Sequence, residues 1–188
     1  DSVNTITFRS STGNFDDVIL TCSPTAQSSY VLKFENTHDI FFENISVVST
    51  STLANPNATA QGNVLVIENS NNLEFTGNRF VARRLQKSSN ANAITMKGIV
   101  SDIVISNNVI DSSYIGIMNK VVDATDNIIN INISNNMIKN FYNMGINFNK
   151  VADINIIKNT IESGNPDNKA LTGIYLKEHY GAFDILQN

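Results

Sequence analysis

Ile131-Asn132-Ile133-Ser134-Asn135-Asn136-Met137-Ile138 places aliphatic residues at alternate positions, then polar residues, then Asn, then an aliphatic again. The same phrase occurs as Leu73-Glu74-Phe75-Thr76-Gly77-Asn78-Arg79-Phe80, as Ile103-Val104-Ile105-Ser106-Asn107-Asn108-Val109-Ile110 and as Ile154-Asn155-Ile156-Ile157-Lys158-Asn159-Thr160-Ile161. It begins once more at Phe183-Asp184-Ile185-Leu186-Gln187-Asn188. The first aliphatic positions are Ile40, Leu73, Ile103, Ile131, Ile154 and Phe183, in steps of 33, 30, 28, 23 and 29 residues. Ile6-Thr7-Phe8 offers an earlier start. Self-similarity at this spacing is the mark of a stacked repeat architecture.

Alternation with period two over such short stretches predicts strands, because successive side chains of a strand point to opposite faces. A second strand-like phrase precedes most starts: Leu32-Lys33-Phe34, Leu65-Val66-Ile67, Ile94-Thr95-Met96, Ile146-Asn147-Phe148 and Ile174-Tyr175-Leu176. The remaining unit offers Ile115-Gly116-Ile117. Each unit is therefore expected to hold two or three short strands with Asn, Gly, Ser or Asp at the corners. One such coil cannot bury its inner face alone, so the units must stack. The variable segments, 49–63, 82–92, 111–114, 139–144 and 162–171, fall at one place in the unit and are expected on one side of the solenoid. An extra excursion is expected at 121–130.

The aliphatics of the phrase are the candidate core. Ile103, Ile131 and Ile154 should stack in one row and Ile105, Ile133 and Ile156 in the next. The recurrent corner residues Asn78, Asn108, Asn136, Asn159 and Asn188 are read as a structural ladder. Asn tolerates left-handed backbone angles, and stacked amides bond to one another. At Ile40 the phrase departs, with Ile45 in the ladder position, so the ladder should begin one rung later.

Composition narrows the classes. Charged residues are 16% of 188, and the net charge is −4, which argues against a nucleic-acid footprint, since that needs a basic face. No stretch is long and apolar enough for a membrane-spanning helix. The single Cys22 excludes an internal disulfide and reads as a small core residue. About one residue in six is Asn, far above ordinary usage.

The repeat resembles the right-handed parallel β-helix repeat of the pectin-lyase-like superfamily, from Tyr30 to Asn188. The resemblance implies an all-β, right-handed parallel β-helix of about six rungs with an internal Asn ladder, forming a single domain over residues 1–188. It leaves function open, since this architecture hosts lyases, hydrolases, phage tailspikes and surface stalks. The opening, Asn4-Thr5-Ile6-Thr7-Phe8-Arg9-Ser10-Ser11-Thr12-Gly13-Asn14-Phe15-Asp16-Asp17-Val18-Ile19-Leu20, resembles a segment of large secreted, multi-repeat proteins of Bacteroidetes. It leads into Tyr30-Val31-Leu32-Lys33-Phe34 and Ile40-Phe41-Phe42-Glu43-Asn44-Ile45, as in those proteins. That resemblance implies export, with display on the cell surface or release. Separately, a rod that ends mid-phrase at Asn188 would expose strand edges, so the natural protein is expected to continue with further rungs or a cap, this chain being a piece of something longer.

The candidate ligand-contacting residues are Arg83, Arg84, Lys97, Lys120, Lys177 and Tyr175. Arg83 and Arg84, with Lys87, form the most basic short stretch, which reads first as a solvated loop and otherwise as a clamp for a carboxylate or sulfate. Glu35, Glu68, Lys97, Asn149 and Lys177 each follow a second-strand phrase and are expected in one outward column, with Lys120 if its rung is phased to match. Glu68 would attract Lys97, and the column reads first as a solvated edge with partly paired charges and otherwise as a groove for an anionic sugar. Tyr114, Phe141, Tyr142 and Tyr175 could stack on sugars or pin corners. Asp102, Asp111, Asp123 and Asp126 are the acids that could approach one another in the central rungs. They form no recognisable metal-binding pattern, so no metal site is assigned, although oxygen ligation of calcium stays open. His38 and His179 lie near opposite ends of the chain and cannot share a site. No nucleophile elbow, phosphate loop or zinc-protease helix is present.

The function expected is a non-catalytic β-helical stalk or adhesin-like module of a secreted or cell-surface bacterial protein, contacting polysaccharide or other surface proteins, without a cofactor. The alternative is a polysaccharide lyase or glycoside hydrolase acting on an acidic polysaccharide. A phage tailspike-like fibre comes third.

Overall fold

The computed structural model describes residues 4–24, 29–50, 62–82, 91–164 and 171–188. All its regular elements are strands. They follow one another as β1 (Ile6–Arg9), β2 (Ile19–Cys22) and β3 (Tyr30–Glu35), then β4 (His38–Glu43), β5 (Ser46–Ser49) and β6 (Asn63–Glu68). The next turns are β7 (Asn71–Thr76), β8 (Arg79–Val81) and β9 (Ile94–Lys97), then β10 (Ile99–Ser106), β11 (Val109–Asp111) and β12 (Ile115–Lys120). The chain continues through β13 (Asn127–Ser134), β14 (Met137–Lys139), β15 (Met144–Asn149), β16 (Val151–Ile157) and β17 (Thr160–Glu162), and ends with β18 (Thr172–Lys177) and β19 (Tyr180–Leu186). Every third strand pairs in parallel. The first sheet has the order β1-β4-β7-β10-β13-β16-β19, the second β17-β14-β11-β8-β5-β2 and the third β18-β15-β12-β9-β6-β3. This is a parallel β-solenoid. Among the described residues, no helix is long and apolar enough to cross a membrane.

The register follows the repeated phrase. Ile6, Ile40, Leu73, Ile103, Ile131, Ile154 and Phe183 are successive partners across the first sheet. Ile103, Ile105, Ile131, Ile133, Ile154 and Ile156 are buried in the interior, as are Leu65, Ile67, Ile94 and Ile117 of the third sheet. Toward the N-terminal side the same interior rows carry Phe34, Phe42 and Phe75, whose rings meet edge-on or tilted. Each fully buried aliphatic contributes about 1.5–3 kcal/mol.

The strands that flank the variable segments all pass from the second sheet to the third, β5 to β6, β8 to β9, β11 to β12, β14 to β15 and β17 to β18. Residues 51–61, 83–90 and 165–170 of those segments lie outside the described residues. In the unit containing β12, the third-sheet row aligns on Ile117, which partners both Ile94 and Ile146, rather than on Ile115. The excursion expected at 121–130 is shorter than that, because β13 already begins at Asn127. Cys22 departs from expectation: it is exposed. It lies on β2, which forms the edge of the second sheet and has all four residues exposed.

The corner at the end of each first-sheet strand divides its work between two adjacent residues. The left-handed conformation falls on Asn44, Gly77, Asn107, Asn135, Lys158 and Gln187. It does not fall on the ladder Asn that follows, which corrects the sequence reading. A Cβ on Gly77 would collide with Asn44 Oδ1, so glycine there meets both the angle and the close approach. The ladder residue contributes its side chain instead. The Asn108 amide donates to Asn136 Oδ1 at 3.0 Å, Asn136 to Asn159 Oδ1 at 2.9 Å and Asn159 to Asn188 Oδ1 at 3.0 Å. The same amides donate to the carbonyls of Phe75, Ile105 and Ile133. Asn78 Oδ1 accepts the backbone N–H of Ile45 at 3.0 Å, so the ladder begins at Asn78.

Candidate functional site

The outward face of the third sheet collects the charges. Glu35 pairs in register with Glu68, Glu68 with Lys97, and Lys97 with Lys120. One column inward from the strand ends, the outward residues are Lys33, Val66, Thr95 and Met118. Residues two apart on a strand share a face, so Lys33 and Glu35 point the same way. A cleft of about 210 Å³ opens here, lined by Ser29, Tyr30, Lys33, Asn63, Val66, Thr95, Lys97 and Lys120. Val66 and Thr95 lie buried at its floor. The Thr95 hydroxyl donates to Asn63 Oδ1 at 2.9 Å, and the Asn92 amide donates to the same oxygen at 3.2 Å. Lys33 Nζ stands 5.7 Å from the centre of the Tyr30 ring, within the range of a cation–π contact.

Ion pairs hold the edge of the cleft. Glu68 Oε2 lies 2.6 Å from Lys33 Nζ and 2.9 Å from Lys97 Nζ, and Lys33 also reaches Glu35 Oε2 at 2.7 Å. For Glu68, burial works to raise the carboxyl pKa, but the hydrogen bonds and charges of Lys33 and Lys97 outweigh it, and the net shift is downward. For Lys33, burial works to lower the ammonium pKa, and Glu35 and Glu68 together turn the net shift upward. Lys120 is exposed and forms no ion pair among the described residues.

The sequence candidates separate accordingly. Lys97 and Lys120 come together on adjacent strands. Lys177 and Tyr175 lie on β18 opposite Asn149 and Asn147 of β15. They belong to the same two columns but lie outside the cleft, and Lys177 pairs with Glu178 at 3.2 Å. Arg83, Arg84 and Lys87 lie outside the described residues. Sequence reasoning missed Lys33, Tyr30, Asn63 and Thr95. The available signal was the spacing Lys33-Phe34-Glu35, which places two opposite charges on the outer face of one strand.

The other candidates make contacts within the fold. Tyr114 and Tyr142 stack on each other with centroids 5.8 Å apart, and Phe141 is buried in the core. Asp102, Asp111, Asp123 and Asp126 do not converge as a set. Asp102 is on the first sheet and accepts from the Asn130 amide at 2.5 Å, whereas Asp111 is on the second sheet and accepts from Asn140 at 2.8 Å. Asp126 caps its own loop through the N–H groups of Val122 and Asp123. Among the described residues, no three His, Cys, Asp or Glu side chains gather as a metal-ligand set. His38 pairs with Asp39 at 2.6 Å. His179 meets the Phe183 ring edge-on at 4.5 Å.

A second Asn feature had no signal in the repeat. Asn119 occupies the interior row shared with Phe34, Ile67 and Met96, and it is buried. Its amide donates to the Asn149 carbonyl at 2.6 Å, and its Oδ1 accepts the Asn149 N–H at 2.8 Å. The ladder between β12 and β15 stops at Met118–Asn147, just before the excursion that follows Lys120. The Asn119 side chain thus supplies the backbone pairing that the excursion interrupts.

The chain matches no protein-family model and no curated protein.

Proposed function

We propose that this chain is a β-helical scaffold module of an exported or cell-surface bacterial protein, stalk-like or adhesin-like, and that its third sheet contacts acidic polysaccharide. The observation that carries this reading is the convergence of Lys33, Lys97 and Lys120 around a floor of Val66 and Thr95. Glu35 and Glu68 offset two of these three ammonium groups, so in a chain of net charge −4 the cleft keeps a local positive excess, centred on Lys120. Such a field attracts anionic ligands and weakens with salt. The mixed floor of a methyl-bearing side chain and a hydroxyl suits a sugar, which presents both C–H and O–H groups.

Binding is favoured over lyase chemistry by the state of Glu68. A lyase needs a base for the proton beside a uronate carboxylate. Glu68 and Glu35 are carboxylates at the edge of this cleft, both held by Lys33, and for Glu68 the lysines Lys33 and Lys97 lower the affinity for a proton, which makes it a weak base.

The test is retention of the purified chain on immobilised polygalacturonate, alginate and chondroitin sulfate, with and without calcium. The expected result is salt-sensitive retention that the double variant Lys97→Ala/Lys120→Ala loses, with no unsaturated product. Formation of unsaturated product would move the protein to the lyases. Retention untouched by the double variant would remove this face from the function.

A further inference from the structure

The third sheet treats its two like-charged neighbour pairs differently. Glu35 and Glu68 are partners in register, and so are Lys97 and Lys120. Like charges directly opposite on adjacent strands repel. Between the two glutamates the fold supplies a counter-charge, Lys33, whose Nζ stands 2.7 Å from one carboxylate and 2.6 Å from the other. Beside the two lysines the same column presents Thr95 and Met118, which carry no charge. Glu68 reaches Lys97 at 2.9 Å but already serves Lys33.

We propose that Lys97 and Lys120, above Thr95, form the recognition position for one carboxylate or sulfate group of a saccharide, and that Glu68 competes with that group for Lys97. This rests on the glycan reading of the face and adds to it a named anion position and an internal competitor. An ammonium offers three donors and no acceptor, so Lys97 keeps donors for a ligand after meeting Glu68, and Lys120 meets no carboxylate among the described residues. An anion between the two lysines relieves their mutual repulsion, as Lys33 does for the glutamates. The Thr95 hydroxyl proton is committed to Asn63 Oδ1. Its oxygen can accept from a ligand hydroxyl, and this selects a saccharide anion over a bare ion. The position thus takes an anionic group with a neighbouring hydroxyl.

The competition predicts effects of opposite sign. The full chain, labelled at the lysine ε-carbons, is titrated with sodium glucuronate and with sodium sulfate at constant ionic strength, with glucose as the neutral control. The Lys97 and Lys120 resonances should move ahead of those of the other lysines. Lys120→Ala should abolish that response. Glu68→Gln should tighten binding about two- to five-fold, the worth of one partly exposed ion pair. A purely structural role for Glu68 gives no gain, so unchanged or weaker binding by Glu68→Gln overturns the proposal, as does a response spread evenly over all lysines. Thermal melts confirm that each surface variant is folded. If glucuronate moves Lys97 and Lys120 while acidic polysaccharides fail to bind, the anion position stands and the polysaccharide reading falls. If the polysaccharides bind and neither variant changes their affinity, the polysaccharide reading stands and the anion position falls.

Discussion

Asn135 and Asn136 are the same amino acid, yet they do opposite work. Asn135 takes a φ of 56° and faces solvent. Asn136 is buried and spends its side chain on both neighbouring rungs. Its Oδ1 accepts the Asn108 N–H and amide, each at 3.0 Å, and its amide reaches the Ile105 carbonyl at 2.8 Å and Asn159 Oδ1 at 2.9 Å. Removing that amide orphans buried groups on both sides, each costing about 1–3 kcal/mol in full but partly relaxed together. Asn136→Ala should therefore lower stability by about 2–4 kcal/mol in urea titration. Asn135→Gly should be neutral within about 0.5 kcal/mol, since glycine adopts the same angle freely. Equal effects at the two positions would refute the division of roles.

At the scale of the element, the third sheet links pH to stability. The folded pKa of Glu68 is lowered from its ordinary 4.5. Its contribution is therefore complete above that value and is lost as the pH falls through the lower, folded value. Lys33 is raised from 10.5, so its share persists to alkaline pH and is lost only above that. Urea midpoints should be level near neutrality and fall in acid. Glu68→Gln should flatten the part of that fall due to this cluster, by up to about 1 kcal/mol, the range for pairs near the surface. An acid limb identical in the variant would show that Glu68 is not a source. The column Glu35–Glu68–Lys97 was legible from the repeat, because Leu32, Leu65 and Ile94 set the phase of three strands without ambiguity, whereas the place of Lys120 hung on the phase of β12. Lys33 bridging two glutamates was not legible, because it depends on side-chain reach between columns that spacing alone does not give. The phase of β12 was hidden because Ile115 and Ile117 both fit an alternating pattern, and Asn119 puts an amide where its neighbours have apolar side chains.

At the scale of the molecule, protection should be graded along the axis. The interior rows are fully buried at Ile105, Ile133 and Ile117. The outermost strands carry exposed apolar residues, with Ile6 at 56% and Phe183 at 49% exposure. Local opening follows the density of buried contacts. Hydrogen exchange should therefore be slowest in β10, β12 and β13 and fastest in β1, β2, β18 and β19, and uniform protection would contradict this. The fold was readable because one short phrase repeats with its phase intact. The ligand face was only partly readable because it is built from residues that differ from turn to turn. The Asn ladder has a further consequence. Each ladder side chain addresses only the turns immediately before and after its own, and its oxygen meets the preceding ladder residue across separations of 30, 28, 23 and 29 residues. A turn is therefore a unit of copying. A gene encoding such a chain can duplicate, delete or lengthen a whole turn and still present the same amide to the next one, so that length and surface diversify while the spine is inherited unchanged.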